Sequence, residues 1–174
     1  MKAFALFLIL TLAGCASDIP RPIRETPAAD IPFAQALKNP EQHRGAAVRW
    51  GGAITIVENR REETWIEIVE RPLETNGQPR TTDKSAGRFL ARVQGFLDPA
   101  IYAPKRLVTA SGTLDGNSTR TIGEHLYTYP VVRAENVYLW PVPAKTEYPY
   151  WYDPWYPWYP WYPWGYPYPH RRPH

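Results

Sequence analysis

The sequence predicts a mainly β protein: a small antiparallel OB-like barrel of five to six strands with one short N-terminal helix, followed by a disordered Pro/Trp/Tyr-rich tail. Three observations predict it. Apolar and polar residues alternate with a period of two through much of residues 46–140, and glycines interrupt the strand patterns. Only residues 31–45 carry a helical pattern. The aromatics are segregated: residues 148–169 hold five of the eight Trp and eight of the twelve Tyr. The chain of 174 residues is read as four parts, 1–14, 15–30, 31–143 and 144–174.

MKAFALFLILTLAGC opens the chain. Lys2 is a short positive region, and Ala3 to Leu12 form an apolar run of ten residues, too short to span a bilayer. This is the form of a secretory signal peptide, residues 1–14. Leu12-Ala13-Gly14-Cys15 resembles the lipobox of bacterial lipoproteins. The resemblance implies cleavage before Cys15, with diacylglycerol on its thiol and an acyl chain on its new amino group. Several chains on one residue make a durable anchor, because each buried methylene contributes about 0.8 kcal/mol. Ala16 and Ser17 follow Cys15, and Asp18 comes third. By the same resemblance that order implies the outer membrane, lipid-anchored, and no cofactor beyond the covalent lipid.

Residues 16–30 hold three prolines and balanced charge, and read as a flexible tether reaching at most about 50 Å. In the helical passage Asp30 is placed to cap, with Pro32 in the first turn. Phe33, Ala36 and Leu37 share one face. Asn39-Pro40-Glu41 starts a second short turn, which Gly45 ends. The first strand carries Val48, Trp50, Ile54 and Ile56, with a bulge or bend expected at Gly51-Gly52. The second places Ile66 and Ile68 on one face and Glu67 on the other. A polar loop, 75–87, leads to a third strand with Phe89, Ala91 and Val93 inward and Arg92 and Gln94 outward. Leu97-Asp98-Pro99 turns the chain. A fourth strand runs to Asp115-Gly116, read as its turn. HLYTYPVVRAENVYLW supplies the last strand or pair, with Pro130 demoting its middle to an edge or bend.

V-R-W-G-G at 48–52, G-R-F at 87–89, G-F-L-D-P at 95–99 and G-E-H-L-Y-T-Y-P-V at 123–131 together resemble the Slp family. The resemblance runs from the lipobox to about Trp140 and does not take in the aromatic tail. It implies an outer-membrane lipoprotein associated with carbon starvation and stationary phase, and it supplies no catalytic residues.

Few residues suggest chemistry. Cys15 is the only cysteine, so an internal disulfide is excluded. His43 and His125 read as surface residues, since no nucleophile context accompanies them. Glu62, Glu63, Glu67 and Glu70 read as solvated strand-face charges. His170 and His174, two imidazoles on a basic terminus, make no metal site. The formal net charge of +3 and export together argue against nucleic acid. The tail is distinctive. Polyproline II has three residues per turn. Its repeat therefore sets Trp155, Trp158, Trp161 and Trp164 on one edge and Tyr156, Tyr159 and Tyr162 on another. Such a rod suits a lipid headgroup zone, lipopolysaccharide or cell-wall glycan. The alternative is a low-complexity tail with no ligand. The resulting expectation is a non-enzymatic envelope scaffold or maintenance protein that also meets envelope proteins. A second reading is a binding module for a glycan or peptide near Trp50 and Trp65, and a third is an envelope hydrolase.

Overall fold

A computed structural model describes residues 18–143. Cys15, the lipobox, His170, His174 and the tail residues Trp155, Trp158, Trp161, Trp164, Tyr156, Tyr159 and Tyr162 lie outside the described residues. The strands are β1 (Ala47–Asn59), β2 (Glu63–Glu70), β3 (Arg88–Gln94), β4 (Leu107–Ile122) and β5 (His125–Leu139). They close a barrel in the order β1-β2-β3-β5-β4, with β4 returning to β1. Four pairings are antiparallel. The closing pair, β3 with β5, is parallel over Leu90–Val93 and Val131–Ala134. A mainly β, five-stranded OB-like barrel is thus the fold.

Alternation explains the interior. Val48, Trp50, Ile54, Ile66, Ile68, Phe89, Ala91, Val108, Ala110, Leu114 and Val132, spaced at even intervals along their strands, form one buried cluster. The helix Phe33–Lys38 adds Phe33 and Ala36 to that cluster. Phe33 meets Trp50 edge-on at 5.1 Å between ring centres, and Trp50 meets Phe89 at 5.6 Å. The Trp50 indole N–H donates to Ile31 O at 2.9 Å, so its polar handle is satisfied inside the core.

Several expectations need correction. Asp30 does not cap the helix; Pro32 occupies that position and no side chain caps it. The second turn is a 3-10 helix, Pro40–His43. Gly51 and Gly52 do not form a bulge. The register of β1 against β2 shifts at Thr55, between Ile54 and Ile56. Gly52 instead permits close approach: a Cβ there would lie 1.9 Å from Val69 O. Asp115-Gly116 is not a turn. β4 runs through it with a register shift between Leu114 and Asn117, and the chain reverses at Gly123-Glu124, since Ile122 pairs with His125. The reason is conformational. Gly116 has φ +85°, and an Asp-Gly pair serves a bulge with a left-handed glycine as well as a hairpin turn. Pro130 does not interrupt β5; it faces Asn117 beside that bulge, where a missing N–H is tolerated.

The tether reading of residues 16–30 also changes. Residues Arg21–Arg24 form a helical turn, so the passage 31–45 is not the only helical one. Ile23 is fully buried. Arg49, itself buried in β1, donates to Ile23 O at 3.0 Å, Arg24 O at 2.8 Å and Thr26 Oγ1 at 2.8 Å. One guanidinium therefore holds two carbonyls and a hydroxyl of this segment against the barrel. Residues 18–30 are a strap, docked by an apolar plug and a charge-assisted clamp.

Candidate functional site

OB-type barrels present the β2–β3 face and the loops beside it to their ligands. In this chain that face is covered from within. The extension of β4 and β5 beyond the bulge lays Ile122, Tyr127 and Tyr129 over Trp65, Leu90 and Val131, which form a second buried cluster. Tyr127 and Tyr129 meet edge-on at 4.7 Å. The Tyr127 hydroxyl accepts the Arg88 backbone N–H at 2.9 Å, fixing the hairpin to the start of β3.

Charge on this face is paired. Arg60, Arg120 and Arg92 stand over the Trp65 ring, with guanidinium carbons 4.4, 5.0 and 5.9 Å from its centre. Glu58 binds Arg60 at 3.2 Å and Arg120 at 3.0 Å, while Arg92 binds Asp115. The indole N–H of Trp65 donates to Glu63 at 2.7 Å. Beneath the hairpin, Glu67 is buried rather than solvated and binds Arg88 at 2.7 Å. Burial first, and the Glu67 charge beside it second, hold the Tyr129 hydroxyl above its ordinary value.

Two of the clefts beside the barrel, among the described residues, bear on the site. One of about 560 Å³ lies where the ends of β3 and β5 meet, lined by Glu62, Glu63, Arg92, Gln94, Arg133 and Glu135. The other, about 170 Å³, holds Asp30, Arg49, Glu70 and Arg71 beneath the strap. Burial pushes the Asp30 carboxyl up, opposed in part by Arg49. Burial pushes Glu70 up as well, opposed by the Ala86 N–H that it accepts at 2.9 Å. Glu70 is therefore half-buried, another departure from a solvated strand face.

The structure does not bring together the aromatic face expected near Trp50 and Trp65. Trp50 is 4% exposed in the core, and Trp65 is 9% exposed beneath three arginines. Neither offers a ring to a sugar. His43 is half-buried at the end of the 3-10 helix and His125 is exposed at the start of β5. Among the described residues no group of three His, Cys, Asp or Glu is placed to hold a metal ion, and no helix is long and apolar enough to cross a membrane. Sequence reasoning missed the hairpin cover and the strap. Their signals were Tyr127 and Tyr129 alternating within one strand, and Ile23 among prolines.

The comparisons with known proteins bear on this barrel and on both its flanks. The "Outer membrane lipoprotein Slp family" matches residues 12–169, which reaches from Leu12 well into the aromatic tail and beyond the Trp140 limit expected from the motifs. The chain is 30% identical to "Uncharacterized lipoprotein YeaY" of Escherichia coli K12, over 90% of this chain and 81% of that one. It is 33% identical to "Outer membrane protein Slp" of the same organism, over 79% and 73%. Among solved structures it is similar to a small single-stranded DNA-binding protein from Streptomyces coelicolor, at 12% identity and a TM-score of 0.36, over 55% of this chain and 94% of that one.

Proposed function

The chain belongs to the outer membrane lipoprotein Slp family, and on that premise we propose that it is a non-enzymatic envelope scaffold, acylated on Cys15 and used under starvation or stationary-phase stress. The strap carries this reading. With Ile23 plugged and Arg49 clamping its carbonyl, only residues 15–23 lie between the acyl chains and a fixed point on the barrel. Fully extended, that stretch spans at most about 29 Å. A domain of this size has a radius of gyration of about 13 Å. The barrel is then held beside the lipid surface instead of standing off on a 50 Å leash.

The filled interior and the self-covered β2–β3 face suit a protein that works by position. They leave no exposed row of free cations on that face for nucleic acid, since its arginines are spent on Glu58, Glu63 and Asp115. The tail, with Trp155, Trp158, Trp161 and Trp164 at the polyproline II repeat, adds a contact to glycan, lipopolysaccharide or headgroups. Replacing those four by Ala should abolish a blue shift of Trp emission on cell-wall material, with barrel stability unchanged. The anchor is tested by Cys15→Ser. That chain should take up no acyl label, remain unprocessed and leave outer-membrane fractions. Cleavage after Gly14 with normal retention would sink the proposal.

A second reading, a binder of envelope peptides, is favoured by the mixed-charge 560 Å³ cleft, which Arg92, Arg133, Glu62 and Glu135 line. Saturable binding of a zwitterionic peptide, lost in Arg133→Ala, would support it; no binding would remove it.

A further inference from the structure

Phe96 and Ile101 are 72% and 54% exposed, and both lie in the loop joining β3 to β4. The other large exposed apolar residues among those described, Ile56, Leu126 and Val142, lie elsewhere and singly, which is ordinary for a protein surface. The loop differs because it carries two of them within six residues on a backbone held by hydrogen bonds. Pro99, Ala100 and Pro104 are exposed between and beside Phe96 and Ile101. Gly95 N–H donates to Glu62 O at 2.8 Å, Leu97 N–H to Thr64 Oγ1 at 3.1 Å, and the Asn59 side chain to Leu97 O at 3.0 Å. Asp98 closes a turn, its carbonyl accepting from Ile101 and Tyr102 and its carboxylate from Ala100. Leu97 and Tyr102 pack onto the core. Each exposed residue is thus the neighbour of a partly buried one packed on the core, which turns Phe96 and Ile101 outward.

Cations stand around this loop. Arg60 and Arg61 occupy the β1–β2 turn that binds Gly95 and Leu97, and Lys105 and Arg106 end the loop itself. Arg61 and Lys105 have no ion pair among the described residues, and Arg106 donates only to the carbonyls of Ile101 and Trp140. The nearby carboxylates are Glu58, Glu62, Glu63 and Asp98; Glu58 is engaged by Arg60 and Arg120 and Glu63 by Arg92, which leaves Arg61, Lys105 and Arg106 beside Glu62 and Asp98. Lys105 has φ +71°, the only non-glycine residue with a positive φ among those described. Its side chain is exposed beside the loop.

We propose that residues 95–106 are a lipid-docking tip: Phe96 and Ile101 enter the boundary between headgroups and acyl chains of an anionic bilayer, and Arg61 and Lys105 meet its phosphates. Apolar side chains flanked by long basic ones suit that boundary, because each finds its own solvent there. The proposal rests on the anchored-envelope reading, in which the strap keeps the barrel within reach of lipid. It adds which part of the barrel touches the surface.

The test uses the full acylated chain. Cys15 carries the lipid, so a cysteine introduced by Ala100→Cys is the one free thiol and takes an environment-sensitive fluorophore. In phosphatidylcholine–phosphatidylglycerol vesicles its emission should shift to the blue and be quenched by nitroxide lipids. A label at Asp83→Cys should keep its emission in water. Phe96→Ser with Ile101→Ser should abolish the shift at position 100, while the protein still floats with the vesicles through its acyl chains. An unshifted label at position 100, or a shift that survives the double serine change, overturns the proposal. So does a shift seen in native envelopes and absent from vesicles, which would make the occupant a protein. Failure of the anchored reading looks different, because the chain would not float at all.

Discussion

Ile23→Ala puts the strap to the most direct physical trial. The side chain is fully buried, and the change removes three carbons. At about 0.8 kcal/mol per buried methylene the transfer term alone is near 2.4 kcal/mol. A residual cavity adds to it, which brings the expected loss to about 3 kcal/mol, within the usual range for such truncations. Arg49 would still hold the carbonyls of residues 23 and 24, at 3.0 and 2.8 Å, so the segment should stay docked on a weakened plug. Chemical denaturation of the full chain, followed by far-UV circular dichroism, gives the stability. Amide exchange of residues 19–30 tells whether the loss is global or confined to the strap. If both stability and exchange change by less than about 0.5 kcal/mol, the level of an ordinary surface substitution, residues 18–30 are a free tether and the strap argument fails.

Three further outcomes follow from the barrel. Gly52→Ala places a Cβ 1.9 Å from the backbone oxygen of Val69, so the barrel should lose about 3 kcal/mol or more, read as a fall in thermal midpoint. Arg88→Ala leaves the buried Glu67 carboxylate without its partner at 2.7 Å and should cost about 2 kcal/mol or more; Glu67→Leu with Arg88→Leu should recover most of that in denaturant titrations. Asp30 and Glu70 are both raised by burial, so their protonated forms are favoured by folding. Stability from these groups is fully present below the ordinary carboxylate range near pH 4 and is lost as pH rises through their raised values. Asp30→Asn with Glu70→Gln should therefore stabilise the protein at neutral pH and make no difference in acid, measured as denaturation midpoints across that range.

Much of the barrel was legible because its signal is local. The period of two assigned Ile66, Ile68, Phe89 and Ala91 to the interior, and the helical spacing of Phe33 and Ala36 found their face. What the pattern could not carry was pairing. Asp115-Gly116 has the backbone needs of a turn and of a bulge alike, and only the partner strand decides between them. The same holds for Glu67, which alternates like a solvated residue until the first half of β5 folds over it. Ile23 was missed for a related reason: a single apolar residue among prolines has no period, and its burial depends on Arg49, 26 positions away. The tryptophans nearest the site, Trp50 and Trp65, were visible as residue types, but whether a ring faces ligand or core is a tertiary fact.

The measurement closest to the central claim is the intact mass of the mature chain, extracted from envelopes without proteolysis. An anchored scaffold whose strap begins a few residues after its lipid predicts a chain starting at Cys15, with residues 1–14 gone, carrying a diacylglycerol and a further acyl group that all map to the first peptide. A chain whose first peptide carries an unmodified Cys15, or still carries residues 1–14, would contradict it.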